Sequence, residues 1–220
     1  EAVDVTGQVP SYLEGAVTKM TASPVEDQLV VLTDGATDTL WVYKWFINGG
    51  KREQSSWFKF TLGGTGTAIR HAEWIDQELH LVVTRGSQTS FEKMDFQPFF
   101  TETLSDFRVH LDRRVADTDV VSESYNSVSD QTTITLPYNL STGATYQVIT
   151  RESSSPLTTA GENIAVVSTG VNTVLVAGDK TATAYWVGEQ YTMRYTFSEL
   201  HFKPLNTGRK AVVGGSFRPR

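Results

Sequence analysis

Apolar and polar residues alternate most regularly between Leu40 and Leu62, in the run LWVYKWFINGGKREQSSWFKFTL. Successive side chains of a β-strand point to opposite faces, and here both faces of the first strand carry large apolar residues. A strand of this kind is typical of a sheet that is covered on both sides. The Asn48-Gly49-Gly50 turn has the residue types of a tight hairpin. We therefore predict an aromatic β-hairpin wedged between neighbouring sheets.

The unit that precedes this hairpin recurs further along the chain. DQLVVLTDG begins at Asp27, and WIDQELHLVVTRG, followed by SFEKMDF, begins at Trp74. Aligning Thr33 with Thr84 gives a spacing of 51 residues. A repeat of this length, made of strands and turns, is typical of four-stranded propeller blades, although sandwiches also repeat hairpins. We predict an all-β fold in which residues 1–112 form two propeller-like units of antiparallel sheet.

Beyond residue 113 the aromatic residues thin out, and Thr, Ser and Val dominate. Short β-branched runs alternate with turn residues, which predicts a small β-sandwich or barrel inserted between blades over residues 113–200. Residues 201–220 are predicted to return toward the blades. No segment shows a sustained helical period, and only a short helical turn is predicted, near Pro98–Ser105. The predicted strands are Thr132–Leu136, Thr145–Thr150, Asn163–Ser168, Thr173–Ala177 and Ala182–Phe197.

An ordered series of segments resembles a known family. The series contains VLTDGATDTLWVYKWF, QSSWFKFTL, HAEWIDQELHLVVTRG, FEKMDF, ITLPYNL and VGEQYTMRYTFSEL. It is similar to the middle of the tail tubular protein B family, the nozzle proteins of T7-like short-tailed bacteriophages. The similarity runs through most of the chain. Members of that family are longer, so we expect this chain to be a central fragment of such a protein.

The resemblance implies a structural protein of the virion tail with no enzyme activity. It implies a ring of six copies that retains viral DNA and then releases it into the host through its lumen, without sequence-specific binding. It also implies contacts with the adaptor, tail tubular protein A, and with tail fibres. Synthesis in the cytoplasm of the host bacterium is a further expectation.

Composition fits this interpretation. A net charge of −6 and a pI near 5.2 argue against a domain that grips phosphates, which needs a basic face. An acidic lumen that repels DNA or ordinary solubility would each explain the charge. The lack of cysteine excludes disulfides, thiol catalysis and cysteine-bound zinc. No apolar run approaches the roughly 20 residues of a membrane helix, so we predict no membrane span.

Candidate chemistry is sparse, and we assign no catalytic, cofactor-binding or metal-binding residue. The histidines His71, His80, His110 and His201 are scattered singly, without a partner at the spacing of metal ligands. Ordinary strand or surface positions are the simpler interpretation. We therefore predict neither a metal nor a cofactor.

Carboxylates supply the enzymatic alternative, a propeller glycoside hydrolase. Such enzymes use one protonated and one ionised carboxyl group that face each other across the sugar bond. The candidates at predicted strand ends are Asp27, Asp34, Asp76 and Glu78. Acidic residues at β-turns commonly bond their own backbone, and we interpret all four in that way.

An acidic and basic cluster follows the aromatic region. Asp112, Arg113 and Arg114, with Asp117 and Asp119, would suit a salt-bridged corner or a calcium loop. The glycine and the distal glutamate of a calcium hand are missing, so the corner is the favoured interpretation.

Two short motifs receive structural interpretations. The glycine-rich run at 63–67 lacks the Lys-Ser or Lys-Thr of a phosphate loop, so we interpret it as a flexible connection between blades. Asn139-Leu140-Ser141 matches a glycosylation sequon, which has no role in a protein made by bacteria.

Exposed tryptophans would favour a carbohydrate-binding module, the second alternative. The five tryptophans are Trp41, Trp45, Trp57, Trp74 and Trp186. All lie in predicted strands, so we expect most of them to be core residues. A solvent-facing aromatic pair would support glycan binding instead.

Overall fold

The computed structural model describes residues 4–6, 12–96, 109–154, 157–195, 200–201 and 216–217. In these ranges the chain forms antiparallel β-strands, one 3-10 turn at Asp117–Asp119 and no α-helix. The predicted all-β class is confirmed.

The first sheet is a four-stranded meander in which each strand pairs with the next along the chain. Its turn at Gly49 and Gly50 has backbone φ angles of 58° and 77°, a left-handed conformation that glycine adopts without strain. The predicted aromatic hairpin is therefore present. The strands are β1 (Val17–Ser23), β2 (Gln28–Thr33), β3 (Thr39–Asn48) and β4 (Lys51–Thr61).

A second meander follows, with β5 (Thr67–Ile75), β6 (Glu78–Arg85) and β7 (Gln88–Asp95) in sequential order. β6 and β7 take the places of β2 and β3, as the 51-residue repeat predicts. Residues 97–108, which include the short helical turn predicted near Pro98–Ser105, lie outside the described residues.

The two meanders pack face to face around one apolar cluster. Because alternate residues of each strand point inward, each sheet contributes a row of aliphatic side chains. The cluster consists of Val30, Leu32, Leu40, Val42, Leu62, Ile69, Ala72, Leu79, Leu81 and Val83. The propeller arrangement of these sheets stays a prediction.

The aromatic hairpin is buried only in its first half, which corrects the prediction of a strand covered throughout. β3 is buried from Thr39 to Tyr43, but Trp45 is half-buried, and Phe46 and Ile47 are 55% and 49% exposed. The cause is the length of β2, which pairs with β3 only as far as Lys44. Beyond that point no sheet of the described residues pairs with the ribbon.

The second half of the chain forms two further four-stranded sheets, ordered β15-β16-β10-β9 and β14-β11-β17-β8, with two-residue pairs β12-β13 and β18-β19. The strands are β8 (Asp112–Ala116), β9 (Ser122–Asn126), β10 (Gln131–Thr135), β11 (Tyr146–Thr150), β12 (Ser153–Ser154), β13 (Leu157–Thr158), β14 (Asn163–Ile164), β15 (Val166–Thr169), β16 (Thr173–Ala177), β17 (Tyr185–Glu189), β18 (Leu200–His201) and β19 (Ser216–Phe217).

These two larger sheets enclose a second apolar cluster. It is built from Ile134, Leu136, Tyr146, Val148, Ile164, Val174, Val176, Tyr185 and Val187. The alternation of buried and half-buried residues along β10, β11 and β16 is the pattern of a sheet with one face in a core. The insertion of this unit between blades, and its boundaries at residues 113 and 200, stay predictions.

The strand predicted at Ala182–Phe197 is shorter in the structure, where β17 ends at Glu189. Both neighbouring strands end at this point, since Glu189 pairs with Tyr146 on one side and with Asp112 on the other. Among the described residues, the sheet continues past this point only as one hydrogen bond, from the Gln190 N–H to the Thr145 carbonyl.

The burial of Trp41 gives a test of the packing on the face of β3 that points away from the first apolar cluster. Its side chain is 1% exposed, and the ring of Tyr12 stands edge-on at a centroid distance of 4.8 Å. Trp41→Ala should lower the free energy of unfolding in urea by about 3–5 kcal/mol, and Trp45→Ala should lower it less because that ring is half-buried. Equal losses would contradict this account.

Candidate functional site

Asp27 and Asp34, two of the candidate carboxylates, occupy turns at opposite ends of β2. A six-residue strand separates them, so they lie about 20 Å apart. Asp27 has a positive φ of 53°, and its carbonyl accepts a hydrogen bond from the Trp45 N–H. Asp34 Oδ1 accepts the Ala16 N–H at 2.6 Å. This separation does not fit a glycosidase pair, which needs roughly 5 to 9.5 Å.

Asp76 lies in the turn between β5 and β6, and Glu78 is the first residue of β6. Asp76 has a φ of 55°, as a turn residue would. Glu78 forms an ion pair with Lys93 at 2.9 Å, and His80 Nε2 lies 3.7 Å from the same carboxylate. These contacts stabilise the turn and the neighbouring strand.

Three of the four histidines can be placed. His71 and His80 each lie beside a single glutamate on the second sheet, and His110 lies in an exposed loop. The side chain of His201 falls outside the described part of the chain. Within that part, no group of three His, Asp or Glu side chains converges as metal ligands would.

The tryptophans do not form a solvent-facing pair. Trp41 is fully buried, and Trp45, Trp57, Trp74 and Trp186 are half-buried. Trp57 Nε1 donates a hydrogen bond to the Val5 carbonyl at 3.0 Å, which holds the N-terminal segment on the outer face of the first sheet. The feature expected of a glycan-binding module is therefore missing from these five side chains.

The acidic and basic corner at the start of β8 forms ion pairs, but mainly with distant parts of the chain. Asp117 pairs with Arg151 Nε at 2.8 Å. Arg113 is 6% exposed and pairs with Glu92 and Glu189, which come from two other strands. This arginine is the centre of the most extensive buried polar contact in the described residues.

Arg113 connects the two halves of the chain. Its Nη1 donates to Glu189 Oε1 at 3.1 Å, to Ser141 Oγ at 3.0 Å and to the Asn139 carbonyl at 3.2 Å. On the other side, its Nε lies 3.6 Å from Glu92 Oε1. The Tyr138 ring stacks on the guanidinium with a centroid distance of 3.7 Å. Such planar donation in several directions is specific to arginine.

Glu92 is held in turn by Arg85, at the end of β6. Arg85 Nη2 donates to Glu92 Oε2 at 2.8 Å and its Nε to Oε1 at 3.2 Å, a bidentate pair. Arg85 Nη1 also donates to the Gly63 carbonyl at 2.7 Å. The glycine-rich run at 63–67 connects the first two sheets. The sequence predicts a flexible connection, but Arg85 holds it in place through this hydrogen bond.

Glu189 ends the chain of contacts within the second apolar cluster. Its Oε1 accepts hydrogen bonds from Ser141 Oγ at 2.5 Å and Tyr146 Oη at 2.7 Å, in addition to Arg113. Its Oε2 is buried without a hydrogen-bond partner among the described residues. Leaving such an atom unpaired costs about 1–3 kcal/mol. The ion pair with Arg113 offsets this cost and so stabilises the buried carboxylate. We call Arg85, Glu92, Arg113, Ser141, Tyr146 and Glu189 the junction cluster.

Backbone geometry allows the junction cluster to form. A Cβ on Gly188 would lie 2.8 Å from the Asp112 carbonyl, so only glycine lets β8 approach β17 this closely. Arg113 itself has a φ of 49°, which is unusual for a residue with a side chain and costs energy. The surrounding ion pairs hold it there. The Thr65 N–H also donates to the Thr142 carbonyl at 2.8 Å, so the link does not rest on charges alone.

The environment changes the titration of neighbouring groups. Burial, with a smaller contribution from Glu189, raises the pKa of Asp112 to about 6. Burial and the hydrogen bond to Glu189 raise the pKa of Tyr146 to about 12, and burial raises the pKa of Tyr138 as well. Both phenols therefore remain neutral hydrogen-bond donors at physiological pH.

A groove of about 520 Å³ opens beside the junction cluster, with Arg85, Arg113 and Tyr138 among the lining residues. Both arginines are paired with Glu92 or Glu189, so their charge is balanced within the protein. The arrangement holds sheets together and is not built to capture an anion.

Sequence reasoning singled out Arg113 but missed Arg85, Glu92 and Glu189. One signal was available for Glu189, because Tyr185, Val187 and Glu189 fall on the same face of β17. A carboxylate at the third inward position of an otherwise apolar face indicates a buried charge. Ser141 of the sequon is buried in the same cluster.

The fold and the junction cluster define an all-β protein whose sheets are joined by buried ion pairs. The family model for bacteriophage nozzle protein matches residues 1–218, and the chain belongs to that family. It is a structural component of a bacteriophage tail. Comparison with curated proteins gave no match. Membership of the T7-like group stays a prediction. In the described residues, no helix is long and apolar enough to cross a membrane.

Removing the arginine of the junction cluster should destabilise the protein strongly. Arg113→Met leaves Glu189 buried without its cation, and breaking a buried pair in this way costs about 3–5 kcal/mol. Lys93→Met is the matched control, because its pair with Glu78 is exposed and contributes about 0–1 kcal/mol. Urea unfolding of the two variants measures the difference, and similar losses would show that the cluster does not hold the sheets together.

The raised pKa of Asp112 predicts a pH-dependent effect on stability. The folded state binds this proton more tightly than the unfolded state, so the stability that protonation confers is present below pH 4 and is lost as pH rises through about 6. Asp112→Asn should therefore raise the melting temperature at pH 7 and have less effect at pH 4. A difference from the parent that is independent of pH would contradict the assignment.

Proposed function

We propose that this chain forms part of the wall of a tail nozzle, in which six copies surround a channel for viral DNA. The observation that carries the proposal is membership of the nozzle family over residues 1–218, since a nozzle is an opening through which contents pass. In this function the chain acts mechanically: the ring retains the genome and then opens to release it.

The junction cluster supports a mechanical role in the wall. Arg113 pairs with a carboxylate from each half of the chain, and the two apolar clusters lie on either side of it. A wall element must transmit force without bending between its sheets. Buried charges with fixed hydrogen-bond geometry favour one relative placement of the two halves.

One sheet face has the composition expected of a surface that DNA passes without binding. In the sheet β15-β16-β10-β9, directly opposed residues share a face, and one face points away from the core. No charged residue lies on it, although 20% of the chain is charged. We call it the neutral face: Ser122, Ser124, Asn126, Gln131, Thr133, Thr135, Ser168, Thr173, Leu175 and Ala177.

The neutral face suits a channel better than a subunit contact. Cationic side chains would hold phosphates by counterion release, which would slow the passage of DNA. Stable protein contacts need apolar or aromatic anchors, and here only Leu175 and Ala177 are apolar. A channel wall of neutral hydroxyl groups would therefore replace the acidic lumen that the net charge suggested.

The partners follow from the same proposal. The ring would contact the adaptor, tail tubular protein A, on one side and tail fibres at its periphery. Viral DNA would pass through the lumen without any reading of its bases. The chain would be made in the cytoplasm of the host bacterium and assembled there into the virion.

A cryo-microscopy map of the phage particle that carries this chain tests the proposal. We expect six copies around the tail axis, a channel wide enough for duplex DNA and the neutral face on its wall. A different copy number, or sheets that enclose no channel, would overturn the proposal. Six copies with the neutral face on the outside would reject only the assignment of that face.

A further inference from the structure

The hairpin of β3 and β4 extends beyond the sheet to which it belongs. β2 pairs with β3 only from Trp41 to Lys44, whereas the pairing of β3 with β4 continues to Asn48 and Lys51. The last backbone contact with the rest of the sheet is the hydrogen bond from the Trp45 N–H to the Asp27 carbonyl. We call residues 46–56 the hairpin arm.

The hairpin arm is exposed along its whole length. Every side chain that the structure describes within it is exposed to solvent, including Phe46 at 55% and Ile47 at 49%. As neighbours in a strand, these two side chains point to opposite faces of the ribbon. The arm therefore presents a large apolar group on each side, where a simple solvent-facing turn would carry polar residues.

The arm is nevertheless formed in advance of any contact. Arg52 Nη1 donates to Tyr43 Oη at 2.9 Å, and the Asn48 amide lies 3.4 Å from Glu53 Oε1. A two-stranded ribbon by itself is marginally stable in water, so these contacts near its base and tip keep it ordered. A preformed projection with apolar anchors binds a partner at a low cost in entropy.

We propose that the hairpin arm docks on a second copy of this chain, with Phe46 and Ile47 inserted into the neighbouring subunit. This inference rests on the ring of the proposed function. An arm on one copy that enters a different surface on the next is a heterologous contact, and repeated contacts of this kind form a ring when the rotation between copies closes.

Charge complementarity favours another copy as the occupant. Lys51, Arg52 and Glu53 give the arm a net charge of +1, so the remainder of the chain carries −7, from the total of −6 less +1. The basic arm of one copy is therefore attracted by the acidic body of the next. DNA would also attract a basic arm, but it offers no apolar pocket for Phe46 and Ile47.

Cross-linking from the arm tests the contact directly. The chain contains no cysteine, so Ile47→Cys gives a single attachment point for a benzophenone maleimide. Val128→Cys is the matched control, because Val128 is an apolar residue, 95% exposed, in the turn between β9 and β10. After irradiation of assembled tails, the label on Cys at position 47 should give a ladder of linked copies, and the control label should not.

Each other outcome overturns the inference. A ladder no stronger than that of the control, in tails with six copies, rejects the arm and leaves the ring intact. Cross-links mainly to DNA or to a different tail protein assign the arm to that partner instead. A single copy per tail rejects the ring and the arm together.

A second measurement does not depend on where the cross-linking label points. The double variant Phe46→Ser, Ile47→Ser should lower the assembled mass toward the 24.4 kDa of one chain, while its urea unfolding stays close to that of the parent. Phe91→Ser removes an aromatic side chain that is 85% exposed on β7, and it should leave the assembled mass unchanged. Unchanged assembly of the double variant would overturn the proposal.

Discussion

The two halves of the described structure are joined by one buried cation that lies between a buried carboxylate and a half-buried one. Arg113 reaches Glu92 in the second meander and Glu189 in β17, and each of these carboxylates has further partners on its own side. Removing the arginine would leave charge in an environment where an unpaired charge is very unfavourable. Together with the Thr65–Thr142 backbone hydrogen bond, the cation therefore holds the two apolar clusters next to each other. The positive φ of Arg113 is tolerated because its surroundings determine its position.

The same contact explains why neighbouring features of the sequence are as they are. Gly188 removes a side chain where β8 passes β17, and a Cβ on Gly64 would lie 2.7 Å from the Ser141 side chain. Tyr138 covers the guanidinium, and its hydroxyl donates to the Arg113 carbonyl at 2.5 Å. Hydrogen bonds of this kind polarise one another in a low dielectric, which makes the cluster more rigid than separate pairs would be.

The elements set by local rules could be predicted from the sequence, and those set by distant contacts could not. The Asn-Gly-Gly turn and the 51-residue repeat lead directly to the hairpin and the meanders, because both depend on nearby residues. The end of β17 and the exposed half of β3 depend on where other strands stop, which no local pattern records. Arg85 and Glu92 were missed for the same reason, and for Glu189 the local pattern indicates burial but not the partners that it meets.

Several charged groups of this protein are buried and several apolar groups are exposed, and both features fit a structural protein of a phage tail. Charges that normally face water are buried in the junction cluster, where strict geometry gives one fixed placement of sheets. Apolar side chains that normally fill a core stand exposed on the hairpin arm. Buried charges make a single copy of the chain rigid, whereas exposed apolar surface favours binding to a second copy. A subunit of the proposed ring would need both properties, because the wall would have to be rigid within each copy and continuous between copies.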